Sequence, residues 1–257
     1  MRGQAAMIRA GALVWLLAAT GAGAADRYDA AVAHAGRSAA DLKRDAIDHP
    51  AQILRLTGIR PGMQVADVLG GDGYYSELLG ALVGHKGHVL LINNAAFDHW
   101  SDADLAARLA GGRLANVEHR SVDLNEMNLK PRSLDALLLI KVYHDLYWSD
   151  PEGVWPKVDA PAVLDQLARA VKPGGVLLLV DHSAAPGHGN ADASSLHRIE
   201  ESFALRDFES RGFKRVAGSD LLRHPEDPRE LVSYKPPMLG KTDKFVMILR
   251  KTGAALR

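Results

Sequence analysis

Cysteine is absent from all 257 residues, which excludes disulfide scaffolds, zinc–thiolate sites and cysteine nucleophiles together. Net charge is absent too, since 31 lysine and arginine side chains balance 31 aspartates and glutamates. Without a bulk positive field the chain has no purchase on a phosphate backbone, so nucleic acid is not an expected partner. Aromatic residues are few, at 6%. Long apolar runs are also missing: the early run from Ala10 to Ala19 falls well short of the roughly 20 residues that a membrane-crossing helix requires. What remains is 47% hydrophobic and 24% charged, the balance of a globular chain able to bury one sizeable core. Its chemistry must come from oxygen, nitrogen and backbone groups.

Arg2 and Arg9 precede that apolar run, and Thr20-Gly21-Ala22-Gly23-Ala24-Ala25 follows it with small side chains. This is the pattern of a secretory signal peptide over residues 1–24, with cleavage expected after Ala24. A retained membrane anchor is the competing reading, disfavoured by the short, alanine-rich run. The mature chain is therefore expected in the periplasm or outside the cell, with no stable membrane insertion. It keeps 29 basic side chains, 31 less those two arginines, against 31 acidic ones. Residues 25–40, small and polar, read as a flexible lead-in, and residues 41–257 as a single domain.

Within that domain, Asp41 to Thr57 predicts two short helices broken at Pro50. Gln64 to Leu69 reads as a buried strand, and Tyr75, Leu78, Leu79 and Leu82 share one helix face. The alternation continues with strands over His88 to Ile92, Val117 to Val122, Leu134 to Val142 and Val176 to Val180. Helices are expected over Asp102 to Leu109 and from Pro161 to the stop at Lys172-Pro173-Gly174-Gly175. A helix over Ser194 to Arg211 and two late strands, near Phe213 to Ala217 and Lys244 to Arg250, complete the pattern. Strands alternating with helices predict an α/β protein, an open and mainly parallel sheet with helices on both faces. Such sheets bind ligands beyond the carboxyl ends of their strands.

The first strand ends in Asp67-Val68-Leu69-Gly70-Gly71-Asp72-Gly73, an acid followed by glycines where the backbone can approach a nucleotide-like ligand closely. A plain tight turn is the alternative. Together with Asp123 after the third strand, Lys172-Pro173-Gly174-Gly175 before the fifth and a late strand ending the chain, this resembles the class I S-adenosylmethionine-dependent methyltransferases. More specifically it is similar to a bacterial branch of predicted secreted methyltransferases of unknown substrate. That likeness runs through Tyr143-His144-Asp145-Leu146-Tyr147-Trp148, Asp181-His182-Ser183-Ala184, Leu196-His197-Arg198-Ile199 and Lys241-Thr242-Asp243-Lys244-Phe245-Val246. The resemblance implies a Rossmann-like sheet of seven strands, a methyltransferase-like domain over residues 41–257, S-adenosylmethionine as cofactor and a small-molecule acceptor. Two positions depart from the superfamily's pattern: Leu69 replaces the first glycine, and Asn93 stands where an acid would hold the ribose. An amide can bond a diol but without charge assistance.

The same resemblance implies that Gly71 and Gly73 approach the methionine portion of the cofactor, Asp67 orients it, Asn93 faces the ribose and Asp123 reaches the adenine. Capping of the glycine turn is the alternative role for Asp67. Methyl transfer chiefly needs alignment and, for a protonated nucleophile, a base. His144 and Asp145 after the fourth strand, and Asp181 and His182 after the fifth, offer two acid–histidine pairs at one edge. His144, Asp145 and His182 are thus the catalytic candidates, with loop hydrogen bonding the plainer role for the histidines. Tyr143, Tyr147 and Trp148 either wall an acceptor pocket or pack the following loop. His197 and Arg198 either reach over the cleft or lie on a solvated helix face. No His-x-x-x-His or facial-triad spacing appears, so no metal is expected. Glycine and proline punctuate the segments near Pro186 to Asp192 and Lys235 to Gly240, which read as pocket covers. S-adenosylmethionine is a cytoplasmic metabolite, and export implies a supply that this chain does not explain. Two other functions stay open: a non-catalytic binding protein on the same scaffold, and a lyase or hydrolase using the acid–histidine pairs.

Overall fold

The computed structural model describes residues 26–253, and the signal segment expected over residues 1–24 lies outside them. Seven strands are present in the described chain: β1 (Gln64–Val68), β2 (His88–Asn93), β3 (Val117–Ser121), β4 (Leu134–Ile140), β5 (Val171–His182), β6 (Phe213–Ser219) and β7 (Lys244–Lys251). They form one sheet in the order β3-β2-β1-β4-β5-β7-β6. The first five are parallel where they pair, and β7 lies antiparallel between β5 and β6. Strand order reverses between β1 and β4, which opens a crevice at their carboxyl ends.

Burial of both sheet faces explains the near-continuous apolar runs in the central strands. Ala66, Val68, Leu137, Leu139, Leu177 and Leu179 pack into one core layer. Val65, Leu138, Leu178 and Ile248, pointing the other way, pack into a second. Helices α1 (Arg27–Val32), α2 (Ala39–Asp48), α3 (Pro50–Arg55) and α4 (Tyr74–Val83) precede β2; α5 (Ala95–Leu109) and α6 (Ala160–Ala170) follow β2 and precede β5; α7 (Ala193–Leu196) and α8 (Glu201–Glu209) lie between β5 and β6. Among the described residues no helix is long and apolar enough to cross a membrane.

Four segments differ from the sequence reading. The lead-in is partly ordered: α1 buries Tyr28, whose hydroxyl donates to the Ile59 carbonyl at 2.9 Å. α2 then opens with a capping box between Ser38 and Asp41. Two anchors in an otherwise small and polar segment suffice to dock it. α5 starts at Ala95 rather than Asp102, because the Asn94 side chain accepts from the Phe97 amide at 3.0 Å and caps the helix. β5 begins at Val171 and absorbs Lys172 to Gly175 as an irregularity, since Leu134 pairs with Val171 while Ala136 pairs with Val176.

The fourth difference bears on the site. The helix expected over Ser194 to Arg211 breaks into α7 and α8 at His197, whose φ of 50° is left-handed. After the break Ile199 donates to the His182 carbonyl and accepts from the Ala184 amide, both at 2.9 Å. Sheet-like pairing at the end of β5 therefore wins over helix continuation. Arg198, fully buried, makes a bidentate pair with Asp227 and donates to the carbonyls of Ser183 and Leu231. This guanidinium fastens the β6–β7 connection across the end of β5.

Candidate functional site

The glycine turn is held largely by protein groups. Asp67 is buried and accepts from the Ser76 hydroxyl at 2.7 Å. It faces the first turn of α4 rather than the crevice. Burial raises its pKa to about 6, against the lowering effect of Ser76. Leu69 adopts φ 54°, a left-handed backbone that residues with a side chain seldom take. Asn93, fully buried, accepts from the Gly71 amide and donates to the Gly71 carbonyl, both at 3.0 Å, and donates to Asp98 at 2.9 Å. Its amide laces the turn to β2, and no donor remains for a ribose. Asp123, exposed, accepts from the Asn125 backbone and side-chain amides and caps its own loop.

Behind the turn sits Arg108 from α5. It donates to the Asp72 carbonyl, makes a bidentate pair with Asp41 of α2, and contacts Glu77. A Cβ added at Gly73 would come 3.2 Å from the Arg108 side chain. At Gly71 the added Cβ would meet only Phe97, at 3.8 Å. The turn is thus closed at Gly73 and open to a ligand at Gly71.

From Phe97 a cavity of about 520 Å³ runs along the carboxyl ends of β4 and β5. Phe97, Trp100, Trp148 and Tyr234 supply its aromatic walls, and Lys141, His144, Asp145, His182 and His197 its polar groups. Trp148 stacks on Trp155 with ring centroids 5.3 Å apart, and Trp155 stacks in turn on Trp100 at 6.2 Å. This tryptophan stack makes one wall rigid. The loop aromatics divide between the two roles open to them. Trp148 lines the cavity, whereas Tyr143 and Tyr147 both donate to Asp207 and pack the body.

Of the two expected acid–histidine pairs, His144 keeps Asp145 and also takes Asp181 from across the strands, while the His182 side chain turns to Thr242. Asp181, fully buried on β5, accepts from His144 at both its backbone amide (2.9 Å) and Nδ1 (2.7 Å). His144 Nε2 lies 3.2 Å from Asp145. Burial works against charge on this imidazole, but Asp145 and Asp181 outweigh it and raise its pKa to about 10. His144 is therefore not the free base that the sequence suggested. His182 packs against it edge-on with ring centroids 6.0 Å apart, and its Nδ1 lies 2.7 Å from the Thr242 hydroxyl. Burial, reinforced by the positive charges of His144, Lys244 and Lys141, pushes the His182 pKa well below its usual value. One imidazole is held charged and its neighbour neutral.

Sequence reasoning missed five lining groups: Phe97, Trp100, Lys141, Ser233 and Tyr234. The first two sit on the helical turn of α5 that the sequence reading left out. Tyr234 arrives through the Arg198–Asp227 fastening, which no local pattern reveals. Of the two segments read as pocket covers, Lys235 to Gly240 follows directly on Tyr234, while Pro186 lines a different depression beside Arg223 and Arg229.

No family model matches the chain. The ubiquinone/menaquinone biosynthesis C-methyltransferase UbiE of Vibrio vulnificus is 26% identical over 175 residues, covering 66% of this chain and 61% of the relative. UbiE of Ectopseudomonas mendocina is 29% identical over 137 residues, covering 52% and 47%. The matches span about three fifths or less of the length of these curated relatives. Among solved structures, a SAM dependent methyltransferase from Aquifex aeolicus superposes with a TM-score of 0.55 at 20% identity, covering 82% of this chain and 97% of the other. The chain has the fold of the class I S-adenosylmethionine-dependent methyltransferases. The superfamily's scaffold also superposes on a cyclase, SpnF, with a TM-score of 0.55 at 18% identity over 86% of each chain. The likeness therefore establishes the scaffold and leaves the reaction to the site.

Proposed function

We propose that the protein is an exported S-adenosylmethionine-dependent methyltransferase that acts on a small-molecule acceptor. One observation carries this reading: Phe97, the residue nearest the open face of Gly71, lines the same aromatic cavity as His182 at the end of β5. A ligand lying along it spans the sheet edge where this fold places donor and acceptor. The lining fits a sulfonium, since indole and phenol ring faces attract compact cations and exclude water. The likeness to the UbiE C-methyltransferases supports the same reaction class.

Bound S-adenosylmethionine supplies an electrophilic methyl group for in-line displacement. The chain's own residues position the partner and handle its proton. Phe97, Trp100, Trp148 and Tyr234 sandwich an apolar or aromatic acceptor and keep water out. With the proton on His182 Nδ1 directed at Thr242, His182 Nε2 is left to receive a proton from the acceptor. Asp145 and His144 form the charged wall opposite. Export rests on residues 1–24.

A second reading, a binding protein or a different enzyme on this scaffold, is favoured by the engagement of Asn93 and Asp123 with the chain itself. Calorimetric titration of S-adenosylmethionine and S-adenosylhomocysteine separates the two. Saturable binding of both, weakened about tenfold or more by Tyr234→Ala, supports methyl transfer. Absence of binding at millimolar ligand, with the protein folded, refutes it in favour of the second reading.

A further inference from the structure

His197 completes a cluster that no local spacing reveals, because it lies more than fifty positions from its neighbours in the chain and reaches them only through the break between α7 and α8. His144, Asp145 and His197 each offer one ligand atom, and these atoms all lie within 4.8 Å of one another. Asp145 Oδ1 is 3.2 Å from His144 Nε2 and 3.4 Å from His197 Nδ1. Both separations exceed the 2.7 Å hydrogen bond between His144 Nδ1 and Asp181. A tetrahedral ion with bonds of about 2.0–2.1 Å holds its ligand atoms roughly 3.3–3.4 Å apart, which is the spacing expected of groups converging on a shared centre.

The surroundings match as well. Asp181 binds His144 Nδ1 from behind, which fixes the ring so that Nε2 faces the cluster. That carboxylate–histidine arrangement is the usual support of a metal-bound imidazole. All three residues line the 520 Å³ cavity, so coordination positions not filled by protein face an open space. Trp148 and Tyr234 pack edge-on against the His197 ring at 4.9 and 4.8 Å and hold it in place.

We propose that His144 Nε2, Asp145 Oδ1 and His197 Nδ1 form a binding site for one divalent first-row transition ion, which displaces the proton from His144 Nε2 to solvent as it binds, with Asp181 as the positioning residue behind His144. Two imidazoles and one carboxylate suit a borderline ion such as zinc, cobalt or ferrous iron better than calcium or magnesium, which prefer oxygen. The site goes beyond the methyl-transfer reading and does not depend on it, because metal binding is measured without S-adenosylmethionine.

The test uses tag-free protein stripped with EDTA, titrated with Zn²⁺ by calorimetry and with Co²⁺ by visible absorption. The expected result is one equivalent of each ion, with the cobalt d–d bands of a low-symmetry nitrogen–oxygen site. His197→Gln and Asp145→Asn should abolish the bands and weaken zinc binding at least tenfold. Asp181→Asn should weaken it about 10- to 100-fold. His188→Ala, which removes an exposed histidine paired with Asp192, should change nothing. Thermal melts identify any variant that fails to fold; the near-isosteric Asp145→Asn and the edge substitution His197→Gln cover for each other. The proposal is overturned if the wild-type protein takes up no stoichiometric ion, or if folded His197→Gln and Asp145→Asn bind zinc as the wild type does.

Discussion

Asp67→Asn should stabilise the protein at neutral pH and leave ligand binding unchanged. Asp67 is the acid of the glycine motif, yet it lies buried against Ser76. Burial raises its pKa from 3.8 to about 6. Because the folded value lies above the unfolded one, the stabilisation attached to the protonated acid is complete below pH 3.8 and is lost as pH rises through 6. A shift of about two units at 1.36 kcal/mol per unit gives a loss of about 3 kcal/mol at pH 7.5. Asparagine keeps the acceptor for the Ser76 hydroxyl and never ionises. The variant should therefore match the wild type near pH 4 and exceed it by up to about 3 kcal/mol at pH 7.5, or some 6–12 °C in Tm for a chain of this size. Urea denaturation at half-unit pH steps reads the difference, and subtracting the two curves cancels the carboxylates held low elsewhere, such as Asp41 and Asp243. A pH-independent difference, or an Asp67→Asn protein less stable at pH 7.5, would refute the reasoning. Loss of S-adenosylmethionine binding in the folded variant would instead restore Asp67 to the cofactor contact that its motif suggests.

Three further outcomes follow from the same contacts. Asn93→Asp, which restores the superfamily's acid, should destabilise by roughly 2 kcal/mol, because it removes the donor to the Gly71 carbonyl and sets a carboxylate against Asp98; chemical denaturation checks it, and tighter cofactor binding by this variant would contradict the account. Arg108→Met strips the buried Asp41 of its arginine and leaves Glu77 to Arg113, and should cost about 3–5 kcal/mol in urea unfolding. Gly70→Ala should cost about 1–3 kcal/mol, since its Cβ would fall 2.7 Å from the fixed Asp67 carboxylate, and a thermal melt within 1 °C of wild type would contradict that packing.

The parallel sheet and its late antiparallel strand were legible because apolar runs such as Leu134 to Ile140 and Val176 to Val180 are short, β-rich and bounded by turns. The switch-point crevice follows from that order. Side-chain direction was not legible. Adjacent residues on a strand face opposite ways, so Asp181 next to His182 in sequence supports His144 in space, and His182 turns to Thr242. Asn93 was read by its place in a motif, whereas its actual partners are the backbone of the very turn that the motif defines. His197 and Arg198 share one expected helix, open either to the cleft or to solvent; bridge formation between Ile199 and Ser183 separates them, burying the arginine and delivering the histidine to the cavity. Each of these outcomes rests on a contact between segments distant in sequence, where local periodicity carries no information.

The Arg108–Asp41 pair has a practical consequence for anyone trimming this protein. α2 precedes the sheet, and a shortened chain begun at β1 would look like a complete alternating core. Such a fragment would discard Asp41 and leave the arginine behind the glycine turn with Glu77 and Asp72 alone. It would also remove Asp48, the carboxylate that holds Lys141 at the cavity rim. Helix α2 ahead of the sheet thus acts as a brace for the ligand-facing loops, and the smallest fragment worth expressing starts before Ser38 rather than at the first strand.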